Sequence, residues 1–100
     1  MLLIRDLMFC KPGKVRPMVE KFKAMKKLGE KNGMANMRIL TDLSAERYWT
    51  VISEIEAESL DAFMAMGQPG AEETKEMERI MSDYHDLVES GRREIYTIEG

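Results

Sequence analysis

The sequence predicts an α+β protein in which a four-stranded antiparallel sheet carries helices on one face. Two observations lead to this fold class. Segments whose apolar residues alternate with a period of two, and segments whose apolar residues recur at steps of three and four, follow one another in the order β-α-β-β-α-β. The first and third strand segments are apolar on both sides, as expected of central strands, whereas the second and fourth are more polar, as expected of edges.

The composition is typical of a single domain spanning residues 1–100. The chain is 44% apolar and 33% charged, which is ordinary for a globular protein. Arg5 and Asp6 interrupt the apolar start, which argues against a secretory signal, and no apolar run reaches the roughly 20 residues that span a bilayer. Cys10 is the one cysteine, so an internal disulfide is impossible. We therefore expect a cytoplasmic protein with no membrane partner.

Basic and acidic residues are concentrated in different parts of the chain. Residues 11–31 hold eight basic and two acidic side chains, whereas residues 72–89 hold seven acidic and two basic ones. The basic run could be a nucleic-acid patch. The alternative is that two solvated helix faces lie side by side and attract each other. The alternative is favoured because the chain as a whole is acidic, with a net charge of -3, and we expect no nucleic-acid partner.

The first half of the chain predicts a strand, a helix and an edge strand. Residues 1–10 form the first strand, and Pro12-Gly13 marks the turn after it. An amphipathic helix follows over residues 15–33 and is expected to end at Asn32-Gly33. Residues 36–44 alternate with one polar side and predict the edge strand. The apolar residues that define the helix face are Val15, Met18, Val19, Phe22, Met25 and Leu28.

The second half predicts a hairpin, a short helix, a long helix and a last strand. The third strand is expected over residues 48–57, with Trp49, Val51, Ser53 and Ile55 on its more apolar side. Two helices should follow, a short one over 60–67 capped by Ser59 and a long one over 71–91 that ends at Ser90-Gly91. The fourth strand is expected over 92–100.

This order of elements is the ferredoxin-like plan, in which both helices cover one face of the sheet. The other face is normally open to water, and its strands then alternate cleanly between apolar and polar residues. The first strand does not alternate cleanly, because Leu3, Leu7 and Phe9 lie on its second side. Full burial of each such side chain is worth about 1.5–3 kcal/mol. We therefore expect a second copy of the chain to cover this face in a sheet-to-sheet homodimer.

The residues also resemble a known superfamily. Residues 9–25, FCKPGKVRPMVEKFKAM, lead from an apolar strand through a K-P-G-K turn into an amphipathic helix, and are similar to the start of dimeric α/β-barrel proteins. Residues 48–66, YWTVISEIEAESLDAFMAM, resemble the third strand of these proteins and the short helix after it. The groups concerned are antibiotic-biosynthesis-monooxygenase-like, stress-responsive-barrel and NIPSNAP-like. The resemblance implies two ferredoxin-like protomers that pack sheet to sheet and enclose a small barrel.

This chain departs from the monooxygenase-like pattern at two positions. Members of that group often carry a tryptophan just after a glutamate of the third strand, and a histidine in the following helix. Here Glu54 is followed by Ile55, and the helix offers Phe63 and Met64 instead of a histidine. The resemblance therefore implies a fold and a dimer, and it leaves the activity open.

Charged side chains of the central strands are candidates for contacting a ligand. Arg5 and Asp6 lie on opposite sides of the first strand, so one should face the helices and the other the covered sheet face, where a buried charge needs a partner or a ligand. Glu54 is expected to share a strand side with Tyr48. If aromatic residues of the barrel surround Glu54, it is a candidate proton acceptor. The favoured alternatives are that Glu54 lies at the solvated end of the strand or that it forms an ion pair with Arg5 or Arg38.

His85 is the one histidine of the chain and is expected on the second long helix. In haem-handling barrels of the superfamily a helix histidine can ligate iron, and a histidine can also act as a general base. The favoured alternative is a boundary histidine half in solvent. The complete set of ligand-binding candidates is Arg5, Tyr48, Glu54, His85 and Tyr96, and no catalytic residue is assigned.

The sequence predicts no metal site and no cofactor. A protein zinc site needs three or four ligands, whereas His85 and Cys10 are each single. No glycine-rich phosphate loop, nucleophile elbow or dinucleotide fingerprint is present. Three function classes stay open. They are binding of a small, largely apolar molecule between sheet and helices, cofactor-free monooxygenase-like chemistry on an aromatic or quinone-like substrate, and a non-catalytic interaction or regulatory module.

Overall fold

A computed structural model describes residues 1–31, 37–66 and 70–100 of the chain. In chain order the described residues form β1 (Leu2–Cys10), α1 (Val15–Lys31), β2 (Arg38–Thr41), β3 (Thr50–Ala57), α2 (Leu60–Met66), α3 (Ala71–Ile80), a short 3₁₀ helix (Tyr84–Asp86) and β4 (Val88–Thr97). The predicted end of the first helix at Asn32-Gly33 lies outside the described residues.

The strands form one antiparallel sheet in the order β2-β3-β1-β4. The long apolar strands β1 and β3 are central, and β2 and β4 are edges, which confirms the predicted ferredoxin-like arrangement. The register aligns Asp6 of β1 with Ser53 of β3 on one side and with Arg93 of β4 on the other. Because successive side chains of a strand point to opposite faces, this register decides which residues meet on each face.

The helix α1 packs on the sheet through its apolar face. Met18, Val19 and Phe22 are buried against Cys10 of β1 and Val51 of β3. The even-numbered residues of β1 therefore face the helices, and the odd-numbered residues face the other way. Burial raises the pKa of the Cys10 thiol, so this cysteine is a protonated core residue at neutral pH.

The third strand begins later than the sequence predicted. Trp49 adopts a left-handed backbone conformation with φ of 63°, which ends the period-two alternation just before Thr50. The turn is held by the Asp42 carboxylate, which accepts from the Thr50 N–H at 2.9 Å, and by the Thr50 hydroxyl, which donates to the Arg47 carbonyl at 2.9 Å. The predicted strand start at Tyr48 is wrong, and Tyr48 does not share a strand side with Glu54.

The second long helix is also shorter than predicted. α3 ends at Ile80, Asp83 turns the chain with φ of 64°, and β4 begins at Val88. Ser90-Gly91, expected to end the helix, instead lies in β4. A Cβ on Gly91 would lie 3.0 Å from the Leu7 carbonyl oxygen, so glycine permits the close approach of β4 to β1. The backbone groups of β1 that do not pair with β3 need hydrogen-bonding partners along the whole strand. Pairing with β1 therefore makes residues 88–91 a strand, although the spacing of their apolar neighbours favours a helix.

Lys21 of α1 caps the C-terminal end of α3. Its ammonium group donates to the carbonyl oxygens of Ile80 at 3.0 Å and Ser82 at 2.5 Å. The last carbonyls of a helix lack partners within the helix and carry partial negative charge, so a cation at this position stabilises the helix end. Lys21 thereby ties the basic helix to the acidic one.

We predict that Lys21→Met, which keeps an unbranched apolar side chain, lowers the free energy of unfolding by about 1–2 kcal/mol because two carbonyls lose a charged donor. Urea denaturation followed by circular dichroism measures the change. The matched control is Lys23→Met on the same helix, since Lys23 makes a looser ion pair with Glu20 at 3.8 Å. The control should change stability by less than about 0.5 kcal/mol, and equal effects of the two substitutions would contradict the prediction.

Candidate ligand groove and charged sheet face

The adjacent residues Arg5 and Asp6 place opposite charges on opposite faces of the central strand β1. Asp6 lies on the side of the helices, which we call the helix side. Arg5 lies on the other side, which we call the far face. Arg5 is partnered by carboxylates and Asp6 by an arginine. Arg5 is the residue on the face turned away from the helices, and the expectation that the charge on this face has a partner is confirmed.

On the far face, four charged residues form one row across all four strands. Arg38 of β2 is aligned with Glu54 of β3, Glu54 with Arg5 of β1, and Arg5 with Glu94 of β4. The signs alternate along this row, and we call these four residues the charge ladder. Arg5 Nε lies 2.9 Å from Glu54 Oε2, an Arg5 terminal nitrogen lies 3.5 Å from Glu94 Oε1, and Arg38 donates a hydrogen bond to Glu54.

Glu54 is the most buried member of the ladder, with only 6% of its surface exposed. Two guanidinium groups compensate for its burial, which would otherwise be costly for an isolated charge. The favoured interpretation of Glu54 as an ion-pair partner of Arg5 or Arg38 is therefore confirmed. The N–H of Arg5 Nε is buried and is not directed at the nearby oxygen, so that contact is an ion pair without a hydrogen bond.

Glu94 connects the ladder to a tyrosine and a third arginine. The Tyr96 hydroxyl donates to Glu94 Oε1 at 3.0 Å, and Arg92 Nε donates to Glu94 Oε2 at 2.9 Å. Arg92 also lies 3.7 Å from Glu46. This end of the ladder is thus polar and well connected.

Apolar residues flank the charge ladder on the far face. The next row along the strands aligns Leu40, Ile52 and Leu7. Beyond that row, Phe9 lies under two guanidinium groups. The Cζ atom of Arg47 is 4.2 Å from the centre of the Phe9 ring, and the Cζ atom of Arg92 is 5.5 Å from it. The far face therefore combines these apolar side chains with the charge ladder and with two further charged residues, Arg92 in the row of Leu7 and Glu56 in the row of Leu3.

On the helix side, Asp6 and Arg93 form a bidentate ion pair at the floor of a groove. Arg93 Nε donates to Asp6 Oδ1 at 2.6 Å, and a terminal nitrogen donates to Asp6 Oδ2 at 3.2 Å. The hydrogen bond to Asp6 raises the pKa of the Arg93 guanidinium, so Arg93 stays charged at any physiological pH. The guanidinium also lies 5.1 Å from the ring centre of Phe63 in α2.

The groove above this ion pair has a volume of about 590 Å³ and is open to solvent. Its wall opposite the sheet is the 3₁₀ helix, where the rings of Tyr84 and His85 lie 4.0 Å apart, centre to centre. Met8 and Val88 contribute apolar surface from the strands. We call this space the helix-side groove. His85 was predicted on the second long helix, and this prediction is wrong, because α3 has already ended and His85 is an exposed residue of the 3₁₀ helix.

The structure brings together only some of the predicted site residues. Arg5, Glu54 and Tyr96 belong to one polar network through Glu94 on the far face. His85 lies on the opposite side of the sheet, and Tyr48 is 85% exposed in the connection between β2 and β3. Their role in ligand binding stays a prediction.

Two residues of the site were missed by the sequence analysis, namely Arg93 and Glu94. Both lie in the segment RREIYT, which was correctly predicted as a strand. The available signal was charge complementarity, because pairing this strand with β1 in the observed register sets Arg93 against Asp6 and Glu94 against Arg5. The pairing register could not be derived from the sequence, because the strand is predicted to begin at residue 92 whereas β4 begins at Val88.

A larger groove of about 930 Å³ separates α1 from α3. Lys27 and Lys31 line it from the basic helix, and Glu72, Glu73 and Glu76 from the acidic one. The two oppositely charged helices therefore lie side by side, as the favoured interpretation of the charge asymmetry expected. This groove contains no histidine or aromatic side chain among its described lining residues, so it offers less chemistry than the helix-side groove.

Within residues 1–31, 37–66 and 70–100, no group of three or more His, Cys, Asp or Glu side chains is arranged to hold a metal ion. In the same part of the chain, no helix combines the length and the apolar character needed to cross a membrane.

Comparisons with known proteins show structural similarity at low sequence identity. No family model and no curated protein matches the chain. Among solved structures, an uncharacterized NIPSNAP domain protein from Burkholderia xenovorans is similar with a TM-score of 0.75 and 14% identity, and the match covers 99% of this chain and 95% of that one.

Two further structures are similar over the whole fold. A protein described as an antibiotic biosynthesis monooxygenase matches with a TM-score of 0.66 and 12% identity, covering 100% of both chains. A dimeric ferredoxin-like protein of unknown function from Thermobifida fusca matches with a TM-score of 0.54 and 17% identity, covering 98% of this chain and 92% of that one. These likenesses confirm the ferredoxin-like fold and the predicted structural resemblance, and they carry no activity to this chain.

We predict that Glu54→Gln lowers the free energy of unfolding by about 2 kcal/mol, because it leaves Arg5 and Arg38 without the carboxylate that they share. The matched control is Glu56→Gln, two residues along the same strand and on the same face but exposed. It should change stability by less than about 0.5 kcal/mol. Urea denaturation at one fixed protein concentration compares the variants, and a Glu54→Gln variant as stable as its control would show that the ladder does not stabilise the fold.

Proposed function

We propose that each protomer of a homodimer binds a small, largely apolar molecule in the helix-side groove, between the sheet and the 3₁₀ helix. The observation that carries this proposal is the lining of the groove, where apolar and aromatic surface from Met8, Val88 and Tyr84 lies beside charged and polar side chains, among them the paired Asp6 and Arg93. In this proposal the protein is one domain over residues 1–100, works in the cytoplasm and uses no cofactor.

The size and chemistry of the groove support a small-molecule ligand. Its volume of about 590 Å³ falls within the range of roughly 300–1,000 Å³ that is usual for such sites. Asp6 and Arg93 satisfy each other, so a bound apolar molecule leaves no unpaired charge beneath it. The exposed His85 at the edge of the groove can exchange a hydrogen bond with a polar group of the ligand.

Two other functions are kept as alternatives. Cofactor-free monooxygenase-like chemistry on an aromatic or quinone-like substrate would use the same groove, with His85 as the proton acceptor. A non-catalytic interaction module is favoured by a different observation, the exposure of Leu43, Tyr48 and Trp49 in the connection between β2 and β3, because exposed apolar clusters often mark partner surfaces.

Thermal-shift measurements with 1,4-naphthoquinone, 1-naphthol and haem test the ligand proposal. Binding to the folded state stabilises it by RT ln(1 + [L]/Kd), about 2.7 kcal/mol at a ligand concentration of 100 Kd, so we expect one of the aromatic probes to raise Tm by several degrees. His85→Trp should abolish this shift by filling the groove.

The matched control is Lys27→Trp, an exposed substitution in the other groove, which should keep the shift. Absence of a shift with every probe, or a shift that survives His85→Trp, would overturn binding at this groove. Consumption of oxygen together with the bound naphthol would favour the monooxygenase-like alternative.

The homodimer is proposed to form through the far face. Leu7 and Phe9 are already buried within the protomer, Phe9 beneath Arg47 and Arg92, whereas Leu40, Trp49 and Tyr96 are exposed large residues on or beside this face. Apolar surface gains about 25 cal/mol per Å² when it leaves water, and a standard stable interface buries about 1,600 Å² in total. A second copy of the same face is the simplest cover.

We predict that sedimentation equilibrium gives a dimer at micromolar concentration, and that Leu40→Lys, at an exposed far-face position, converts it to a folded monomer by burying an unpaired charge at the interface. Leu60→Lys, at an exposed position of α2 on the helix side, is the control and should leave the dimer intact. A wild-type monomer at 100 µM, with a far face that exchanges freely with solvent, would refute the dimer.

A further inference from the structure

We propose that the charge ladder fixes the orientation of the two protomers in the homodimer, so that the twofold axis runs along the strands and brings β2 of each copy beside β4 of the other. This inference rests on the homodimer proposed above and goes beyond it, because it specifies which strands and which charges meet.

The starting point is the pattern of the ladder across the sheet. Arg38, Glu54, Arg5 and Glu94 lie in one row perpendicular to the strands, each aligned with the next. The charges along this row read positive, negative, positive, negative. Reversing the order of such a row inverts the sign at every position, and this property determines how two copies can face each other.

Two sheets that pack face to face through a twofold rotation must have the axis lying in the plane between them. If the axis runs along the strands, the row of the second copy is reversed relative to the first. Arg38 then faces Glu94 of the second copy, and Glu54 faces Arg5 of the second copy. Every position of the ladder meets the opposite charge.

If the axis instead runs along the ladder, each residue faces its own equivalent. Arg38 then meets Arg38, and the nearly buried Glu54 meets Glu54. Juxtaposed like charges in an interface cost several kcal/mol, and Glu54 would be removed further from water in this arrangement. The ladder therefore favours the axis along the strands and opposes the perpendicular one.

The neighbouring rows are compatible with this orientation. A twofold rotation produces no translation along its own axis, so an axis along the strands sets each row against the same row of the second copy. In the row of Leu40, Ile52, Leu7 and Arg92, Leu7 then faces Ile52 of the second copy, and Arg92 faces Leu40. The choice between the two axes is therefore made by the charges of the ladder.

The two kinds of edge strand meet across the interface in the same orientation. β2 of one copy faces β4 of the other at both sides of the dimer. Arg38 is suited to bridge this seam, because 69% of its side chain is exposed while it contacts Glu54, and a guanidinium has five donors. Side chains can meet across the space, since stacked sheets lie roughly 10 Å apart.

The test uses two charge-reversal variants, Arg38→Glu and Glu94→Arg, alone and mixed in equal amounts. Each variant alone sets like charges against each other at both seams of its homodimer, so we expect its dimer dissociation constant to rise by about 100-fold. In the mixed dimer each Glu at position 38 faces an Arg at position 94, and the two wild-type residues face each other at the second seam. The mixture should therefore dimerise within about 10-fold of the wild type.

Controls separate interface effects from damage to the protomer. Glu78→Arg, an exposed reversal on α3, should leave dimerisation unchanged. If either reversal fails to fold by circular dichroism, the neutral pair Arg38→Gln and Glu94→Gln replaces it, each with an expected weakening of about 10-fold that disappears at 1 M salt, where charges are screened beyond about 3 Å. Analytical ultracentrifugation with one variant fluorescently labelled counts homodimers and mixed dimers.

The outcomes distinguish this inference from the dimer on which it rests. A wild-type dimer whose reversal variants associate as tightly as the wild type overturns the ladder and leaves the dimer standing. Weakening that the mixture does not repair also overturns the ladder, because it indicates damage within each protomer. A wild-type monomer overturns the homodimer itself. Weakening by each variant together with recovery in the mixture supports the proposed orientation.

Discussion

The rest of the structure depends on the central strand β1 carrying a positive charge and a negative charge at successive positions. Arg5 and Asp6 point to opposite faces of the sheet, and both are half-buried, so each charge is stabilised by a partner. Each is neutralised by a neighbouring strand, Arg5 by Glu54 and Glu94, and Asp6 by Arg93. These partners match only in the observed register. A slip of one residue would move every side chain of a strand to the opposite face, which would separate both sets of charges.

The same register gives the two faces of the sheet different chemistry. On the helix side, the Asp6–Arg93 pair lies in a groove lined by both apolar and charged side chains. On the far face, the charge ladder divides apolar rows and leaves Glu54 almost fully buried within a single protomer. This difference underlies the two proposals made above, a small-molecule site on the helix side and a dimer interface on the far face.

The sequence predicts those helices and strands whose apolar periodicity matches the way they pack in the folded protein. The helix over Val15–Lys31 and the central strands were predicted because their periodicity is the one that their packing requires. The prediction failed between Ile80 and Val88, where apolar spacing still favours a helix but the edge of β1 needs a hydrogen-bonding partner. It failed again at Trp49, whose left-handed backbone is held by the Cys10 N–H, which donates to the Trp49 carbonyl, and by the hydrogen bonds of the adjacent Thr50 with Asp42. The partners of Arg5 and Asp6 could not be named because they depend on the register of the strand whose start was misplaced.

The low identity with structures of the same shape has a physical explanation. A ferredoxin-like sheet requires strands of alternating polarity, an apolar helix face and a fourth strand paired with β1, and many sequences satisfy these requirements. The fold does not require the charge ladder, because replacing a buried ion pair by apolar side chains of similar volume often leaves a fold equally stable or stabilises it. A row that the fold does not require, yet whose buried carboxylate is held by two guanidinium groups, needs a reason beyond stability. Ionic rows are best attested as devices that specify which arrangement of partners forms. The role proposed above for the ladder, orienting a second copy of the chain, would be such a reason.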